Sequence, residues 1–131
     1  MKKLLIAFVL SLALLAQTGV SWIPSCTVCQ WQLDPLTGSG VPVTFTATGL
    51  NPRYPYYLRY FTADPLPGHP SGIDVFCCER TPDQDGTLVY GIGFSNNAAT
   101  YTVQLYRDVP GHGNKPNPLV AETIVSVVPL P

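Results

Sequence analysis

From residue 41 onward the chain is written in short runs of alternating apolar and polar residues, and most gaps between runs hold proline or glycine. Period-two alternation places the apolar set of each run on one face of an extended strand. An amphipathic helix would instead need apolar residues three and four apart. No such helical spacing is sustained after the first twenty residues. The 14 prolines and 11 glycines approach the content of disordered segments, yet they cluster between apolar runs and so read as turns. The chain is constrained to sheet.

Seven strands follow from this pattern: Thr27 to Leu33, Val41 to Thr48, Tyr54 to Thr62, Ile73 to Glu79, Thr87 to Ile92, Thr100 to Arg107 and Leu119 to Val128. In the second, Val41, Val43, Phe45 and Ala47 share one face and Thr44, Thr46 and Thr48 the other. Turns or loops are expected at Gly49–Arg53, Ala63–Gly72, Thr81–Gly86 and Asp108–Pro118. Short strands at this spacing, in one domain's length of chain, predict an all-β antiparallel β-sandwich.

The runs Val43–Pro52, Asp83–Thr87 and Thr100–Gln104 resemble the immunoglobulin-like and fibronectin-III-like modules of secreted bacterial proteins. Tyr101, near the start of the sixth strand, resembles a tyrosine corner. The resemblance covers residues 41–128 and implies an immunoglobulin-like sandwich. The chain departs from antibody-type domains: it lacks a cysteine on the second strand and a tryptophan on the third, and Val103 stands where a second cysteine would be.

Upstream, Lys2-Lys3 and the apolar run Leu4 to Ala16 form a secretory signal peptide. Gly19 and Ser21 are small at the positions a signal peptidase tests, which predicts cleavage after Ser21, with Ala16 the second choice. Residues 1–21 are then the signal peptide and residues 22–131 one secreted or cell-surface domain, with no membrane contact after cleavage. The competing reading keeps Leu4 to Ile23 as a spanning anchor, which Gln17, Thr18 and Ser21 weaken. Arg53, Arg59, Arg80, Arg107 and Lys115 against eight acidic side chains leave the mature part at −3. Without a basic run, nucleic acid is not an expected partner.

Export places Cys26, Cys29, Cys77 and Cys78 in an oxidising compartment. Three arrangements are open. The leading one ties Cys26 and Cys29 to Cys77 and Cys78 by two long-range disulfides, worth about 4 kcal/mol for a single loop of that length. It carries a tension, because the first and fourth strands of an immunoglobulin-like sandwich lie at opposite edges. The second pairs Cys26 with Cys29 and Cys77 with Cys78. The third is a four-thiolate zinc site, which adjacent cysteines suit poorly. An oxidoreductase role would want a thioredoxin-like helix after Cys26-x-x-Cys29, and none is visible.

The remaining chemistry is sparse. His69 and His112 are expected in loops at opposite ends, which leaves them no shared metal or catalytic site. Asp83-x-Asp85-Gly86 reads as a turn, since a calcium loop would carry further acidic ligands. No catalytic constellation and no cofactor is expected.

The aromatic run Tyr54–Phe61 is more informative. Leu58 selects Tyr56, Leu58 and Tyr60 for the core, so Tyr57, Arg59 and Phe61 point outward. On the sixth strand Gln104 and Tyr106 point outward, and the last strand adds Glu122 and Ile124 alongside. The expected face is a platform of Tyr57, Phe61 and Tyr106 with Arg59, Gln104 and Glu122, set against the plainer reading of ordinary cross-strand pairing. The loop with His112, Asn114 and Lys115 is the second expected contact region. Together these predict an exported, non-catalytic binding or adhesion module for an extracellular protein or glycan. A structural subunit that self-associates through exposed sheet edges is the alternative.

Overall fold

The computed structural model describes residues 19–33, 40–109 and 117–130. The apolar leader run and the loop residues His112, Asn114 and Lys115 lie outside them. The described chain is all-β, with no helix. Its strands are β1 (Ser21–Pro24), β2 (Val28–Gln30), β3 (Val41–Thr48), β4 (Tyr56–Thr62), β5 (Ile73–Arg80), β6 (Leu88–Phe94), β7 (Ala99–Arg107) and β8 (Leu119–Val128). They form a three-stranded sheet, β1-β3-β6, and a five-stranded sheet, β2-β8-β7-β4-β5.

The expected strands and the observed ones coincide closely where alternation is strict. Val41–Thr48 alternates buried and exposed along its length, as do Leu88–Phe94 and the first half of β7. Three features differ. An additional strand, β1, pairs antiparallel with β3 from Ser21↔Thr48 to Pro24↔Phe45. The first expected strand shortens to Val28–Gln30. Its pairing with β8, from Val28↔Ser126 to Gln30↔Val128, is parallel, so the five-stranded sheet is mixed and not purely antiparallel.

The core lies between the sheets. Val41, Val43, Phe45 and Ala47 of β3 face Leu58 of β4, Tyr101, Val103 and Leu105 of β7 and Val125 of β8, all buried. Trp22 of β1 serves as the core tryptophan. Its ring stacks on Phe45 at 5.4 Å and meets Tyr90 edge-on at 6.1 Å, and its indole Nε1 donates to the Val103 carbonyl at 3.2 Å. That bond links the two sheets through the centre of the molecule. Above β4, the Tyr90 hydroxyl donates to the Tyr56 carbonyl at 3.2 Å.

The long-range disulfide arrangement is not formed. Cys26 pairs with Cys29 and Cys77 with Cys78. The reason is topological: β2 and β5 are the two opposite edges of the five-stranded sheet, so no bridge can span them. On β5 the adjacent pair occupies a β-bulge. The register passes from Leu58↔Cys77 to Tyr56↔Arg80, leaving two residues opposite Tyr57, and Cys78 adopts φ 70°.

Candidate functional site

The strand registers determine which side chains meet on the outward face of the five-stranded sheet. Tyr57↔Tyr106 and Arg59↔Gln104 are direct neighbours across β4 and β7, Gln104↔Glu122 across β7 and β8, and Arg59↔Phe76 with Phe61↔Asp74 across β4 and β5. All six residues expected on the platform therefore share one face. None of the three expected rings is buried: Tyr57, Phe61 and Tyr106 are half-exposed.

Their contacts form one continuous patch. The Tyr57 and Tyr106 rings stack at 5.3 Å with 9° between planes, and Phe76 leans on Tyr57 at 6.2 Å. The Arg59 guanidinium lies between two rings, 4.4 Å from Phe61 and 5.2 Å from Phe76. It also forks onto Asp74, with Nε to Oδ1 at 2.8 Å and Nη2 to Oδ2 at 2.7 Å. This pairing depresses the Asp74 carboxyl below its ordinary range and keeps Arg59 more firmly protonated.

Gln104 joins the two halves. Its Oε1 accepts from the Tyr106 hydroxyl at 2.7 Å and from Arg59 Nη1 at 3.4 Å, and its Nε2 donates to Glu122 Oε2 at 3.0 Å. Gln104 is only 8 % exposed although it points outward, because its neighbours close over it. Asn117 Nδ2 reaches the Tyr57 hydroxyl at 3.3 Å and ties the last loop to the patch.

Two members were missed in the sequence. Phe76 is 60 % exposed, and Asp74 is the arginine's partner. The signal was present in Ile73-Asp74-Val75-Phe76-Cys77, where alternation puts Asp74 and Phe76 opposite the inward set. Exposed Ile124, at 56 %, extends the face along β8.

The other expected features are placed as follows. The turns at 50–55 and 83–86 and the start of the last loop gather at one end, where Leu50 N donates to the Gly86 carbonyl at 3.0 Å and Asp108 N to the Pro55 carbonyl at 2.9 Å. Asp83 Oδ1 accepts from the backbone N–H of Asp85 at 2.9 Å and of Thr87 at 3.0 Å, so its carboxylate closes a turn. His69 is exposed in a tight turn, bridged to Leu66. Among the described residues, no three His, Cys, Asp or Glu side chains gather as metal ligands. No helix there is long and apolar enough to cross a membrane.

No protein-family model, no curated protein and no solved structure matches the chain.

Proposed function

We propose that the chain is an exported, immunoglobulin-like, non-catalytic binding module that engages an extracellular partner through the outward face of its five-stranded sheet. The observation that carries this reading is the patch itself. Tyr57, Phe61, Phe76 and Tyr106, with Arg59 and Gln104 between them, form a flat aromatic and hydrogen-bonding surface on paired strands. Partly exposed aromatics beside arginine make effective anchors at protein interfaces. The strand orders β1-β3-β6 and β2-β8-β7-β4-β5 support the immunoglobulin-like part of the reading.

Between the two partner classes, the geometry favours a protein over a glycan. Tyr57 and Tyr106 turn their ring faces toward each other, and Phe61 has the guanidinium over its face. A sugar ring needs a free aromatic face to stack on, whereas ring edges and the exposed Phe76 and Ile124 side chains suit a flat protein surface.

The test is a pull-down of the purified mature domain against extracellular protein extracts and, in parallel, insoluble polysaccharides and cell-wall material. A Tyr57/Phe61/Tyr106 triple-alanine variant serves as the comparison, with its fold checked by circular dichroism. Capture of a protein by the wild type and not by a folded variant is expected. Polysaccharide binding lost in the variant would reassign the partner to a glycan. Equal capture by both chains would remove the outward face from the function.

A further inference from the structure

On the other side of the molecule the two sheets are unequal, and the inequality leaves a position one strand wide. β6 lies over β4, fixed there by the hydroxyl bond from Tyr90 to the Tyr56 carbonyl and by the edge-on contact of Phe94 with Tyr60 at 5.6 Å. The five-stranded sheet continues past β4 to β5, while the three-stranded sheet stops at β6. Ile73, Val75 and Cys77 share the inward face with Leu58, yet Leu58 is fully buried and these three stay partly exposed. They form an apolar floor with no strand above it among the described residues.

The wall of this slot is the free edge of β6. Thr44 of β3 bonds toward Ser25, next to β1, so the alternate residues Val43 and Phe45 bond toward β6. Their partners Ile92 and Tyr90 use their backbone groups inward. Val89, Gly91 and Gly93 therefore turn their N–H and C=O groups to the open edge. One of these groups, the Val89 carbonyl, is met by Arg80 Nη1 at 2.9 Å. Added side chains at Gly91 and Gly93 would meet nothing within 4 Å.

The other three edges are blunted in ways natural sheets use. β1 has four residues and ends in Pro24, and β2 has three. β5 is bulged at its cysteine pair and carries Asp74, Glu79 and Arg80. β6 is seven residues long, in regular register, with no charge and no proline. Among the described residues it is the edge best suited to act as a template, with Arg80 meeting only its Val89 carbonyl.

We infer that this slot accepts one extended peptide strand from a protein partner, added antiparallel to β6 and laid over Ile73, Val75 and Cys77. Both ends of the slot define the chemistry of that strand. At the Gly93 end lies a half-open cavity of about 320 Å³, lined by Tyr60, Leu66, His69, Ile73, Phe94 and Tyr101. It takes one bulky apolar side chain at the strand's N-terminal end. At the Val89 end the Arg80 guanidinium has no carboxylate partner among the described residues and lies 5.3 Å from the Tyr90 ring. It selects an acidic residue at the strand's C-terminal end. Apolar residues alternate between, facing the floor. This inference stands apart from the outward face and does not depend on it.

A second copy of the chain fits the slot less well, because the overhanging β5 of each copy would meet before their β6 edges could pair. The experiment uses the mature protein and a fluorescent peptide, Phe-Thr-Val-Thr-Val-Thr-Glu, followed by anisotropy. Antiparallel pairing puts its first residue opposite Phe94 and its last opposite Leu88. N-methylation of the threonine opposite Gly91 blocks an amide aimed at β6. N-methylation of the valine opposite Ile92 blocks one aimed away. Roughly tenfold weaker binding is expected from the first and little change from the second. Arg80→Gln is expected to abolish the preference for the glutamate peptide over its glutamine analogue. Equal effects of the two methyl groups overturn the inference, as does no binding at millimolar peptide. A concentration-dependent dimer, lost in Gly91→Pro while the peptide stays unbound, assigns the edge to a second copy and overturns it too.

Discussion

Trp22 shows how one side chain can join two sheets. Its ring fills the core between Phe45 and Tyr90, and its indole N–H satisfies a carbonyl on the central strand of the opposite sheet. Trp22→Phe keeps most of the apolar contact but leaves the Val103 carbonyl without that donor. The expected loss is about 1–3 kcal/mol in urea unfolding, against about 3–5 kcal/mol for Trp22→Ala. No loss in Trp22→Phe would mean that the hydrogen bond contributes nothing, and equal losses in the two variants would mean that the ring contacts contribute nothing. A second residue-scale prediction concerns the phenols. Burial pushes Tyr90 up to about 12, and Tyr101 is raised for the same reason. A folded-state pKa above the unfolded value means that the native state holds the proton more tightly. Stability is therefore full below about pH 10 and falls as pH rises toward 12, by up to about 1.4 kcal/mol per pH unit for Tyr90 alone. In an ultraviolet titration these two should ionise above the ordinary phenol range, together with alkaline unfolding. A Tyr90 that ionises near pH 10 in the still-folded protein would contradict its buried position. Residue identity alone placed Leu58, Val103 and Leu105 inside. It did not place Trp22, because a small-residue stretch behind an apolar run reads as a leader's exit before it reads as a strand.

Strand interiors were legible from the residues, and strand neighbours were not. Strict alternation in Val41–Thr48 specifies which face is buried, since a slip of one residue would expose all four apolar side chains. Nothing in that alternation says which strand lies alongside, and the cysteines show the consequence. Four cysteines behind an apparent leader lead the sequence reading to oxidation, but their pairing depends on β2 and β5 being at opposite edges, which only the sheet order supplies. This yields a prediction about reduction. Bridges between residues three apart and between adjacent residues close almost no chain. Each contributes about 2 kcal/mol or less in the chain-entropy model, where a long-range tie would contribute about 4 kcal/mol. The reduced protein should stay folded, and Cys77→Ser with Cys78→Ser should lower stability only modestly. Proteolysis without reduction should release Cys26–Cys29 and Cys77–Cys78 peptides separately. One cross-linked fragment joining the two regions would restore the long-range arrangement. The outward platform was legible for the opposite reason: Tyr57, Arg59 and Phe61 lie on one strand, and period two alone puts them on one face. Phe76 and Asp74 belong to a neighbouring strand, so their membership depended on the β4–β5 register.

At the scale of the whole molecule, the two sheets differ in size, and both proposed contact regions follow from that difference. The larger sheet has a broad outward face on which β5, β4, β7 and β8 bring their polar and aromatic residues together. It also overhangs the smaller sheet, which leaves the β6 edge open above β5. The smaller sheet in turn depends on its first strand. Ser21 Oγ and Thr48 Oγ1 are hydrogen-bonded at 2.7 Å, and Gly49, at φ +77°, turns the chain directly against the Gly19 backbone, with no room for a Cβ. A signal-peptidase cut after Ala16 keeps all of these contacts. A cut after Ser21 removes the Ser21–Thr48 bond and starts the strand at Trp22, the residue on which the core bridge depends. Two chains, one beginning at Gln17 and one at Trp22, should therefore differ in stability by about 0.5–1.5 kcal/mol in favour of the longer. The shorter should also show faster amide exchange across β1 and the β3 positions that pair with it, while β7 and β8 stay protected. Identical stabilities and exchange would mean that β1 is held by Trp22 alone and that residues 19–21 add nothing to the sheet.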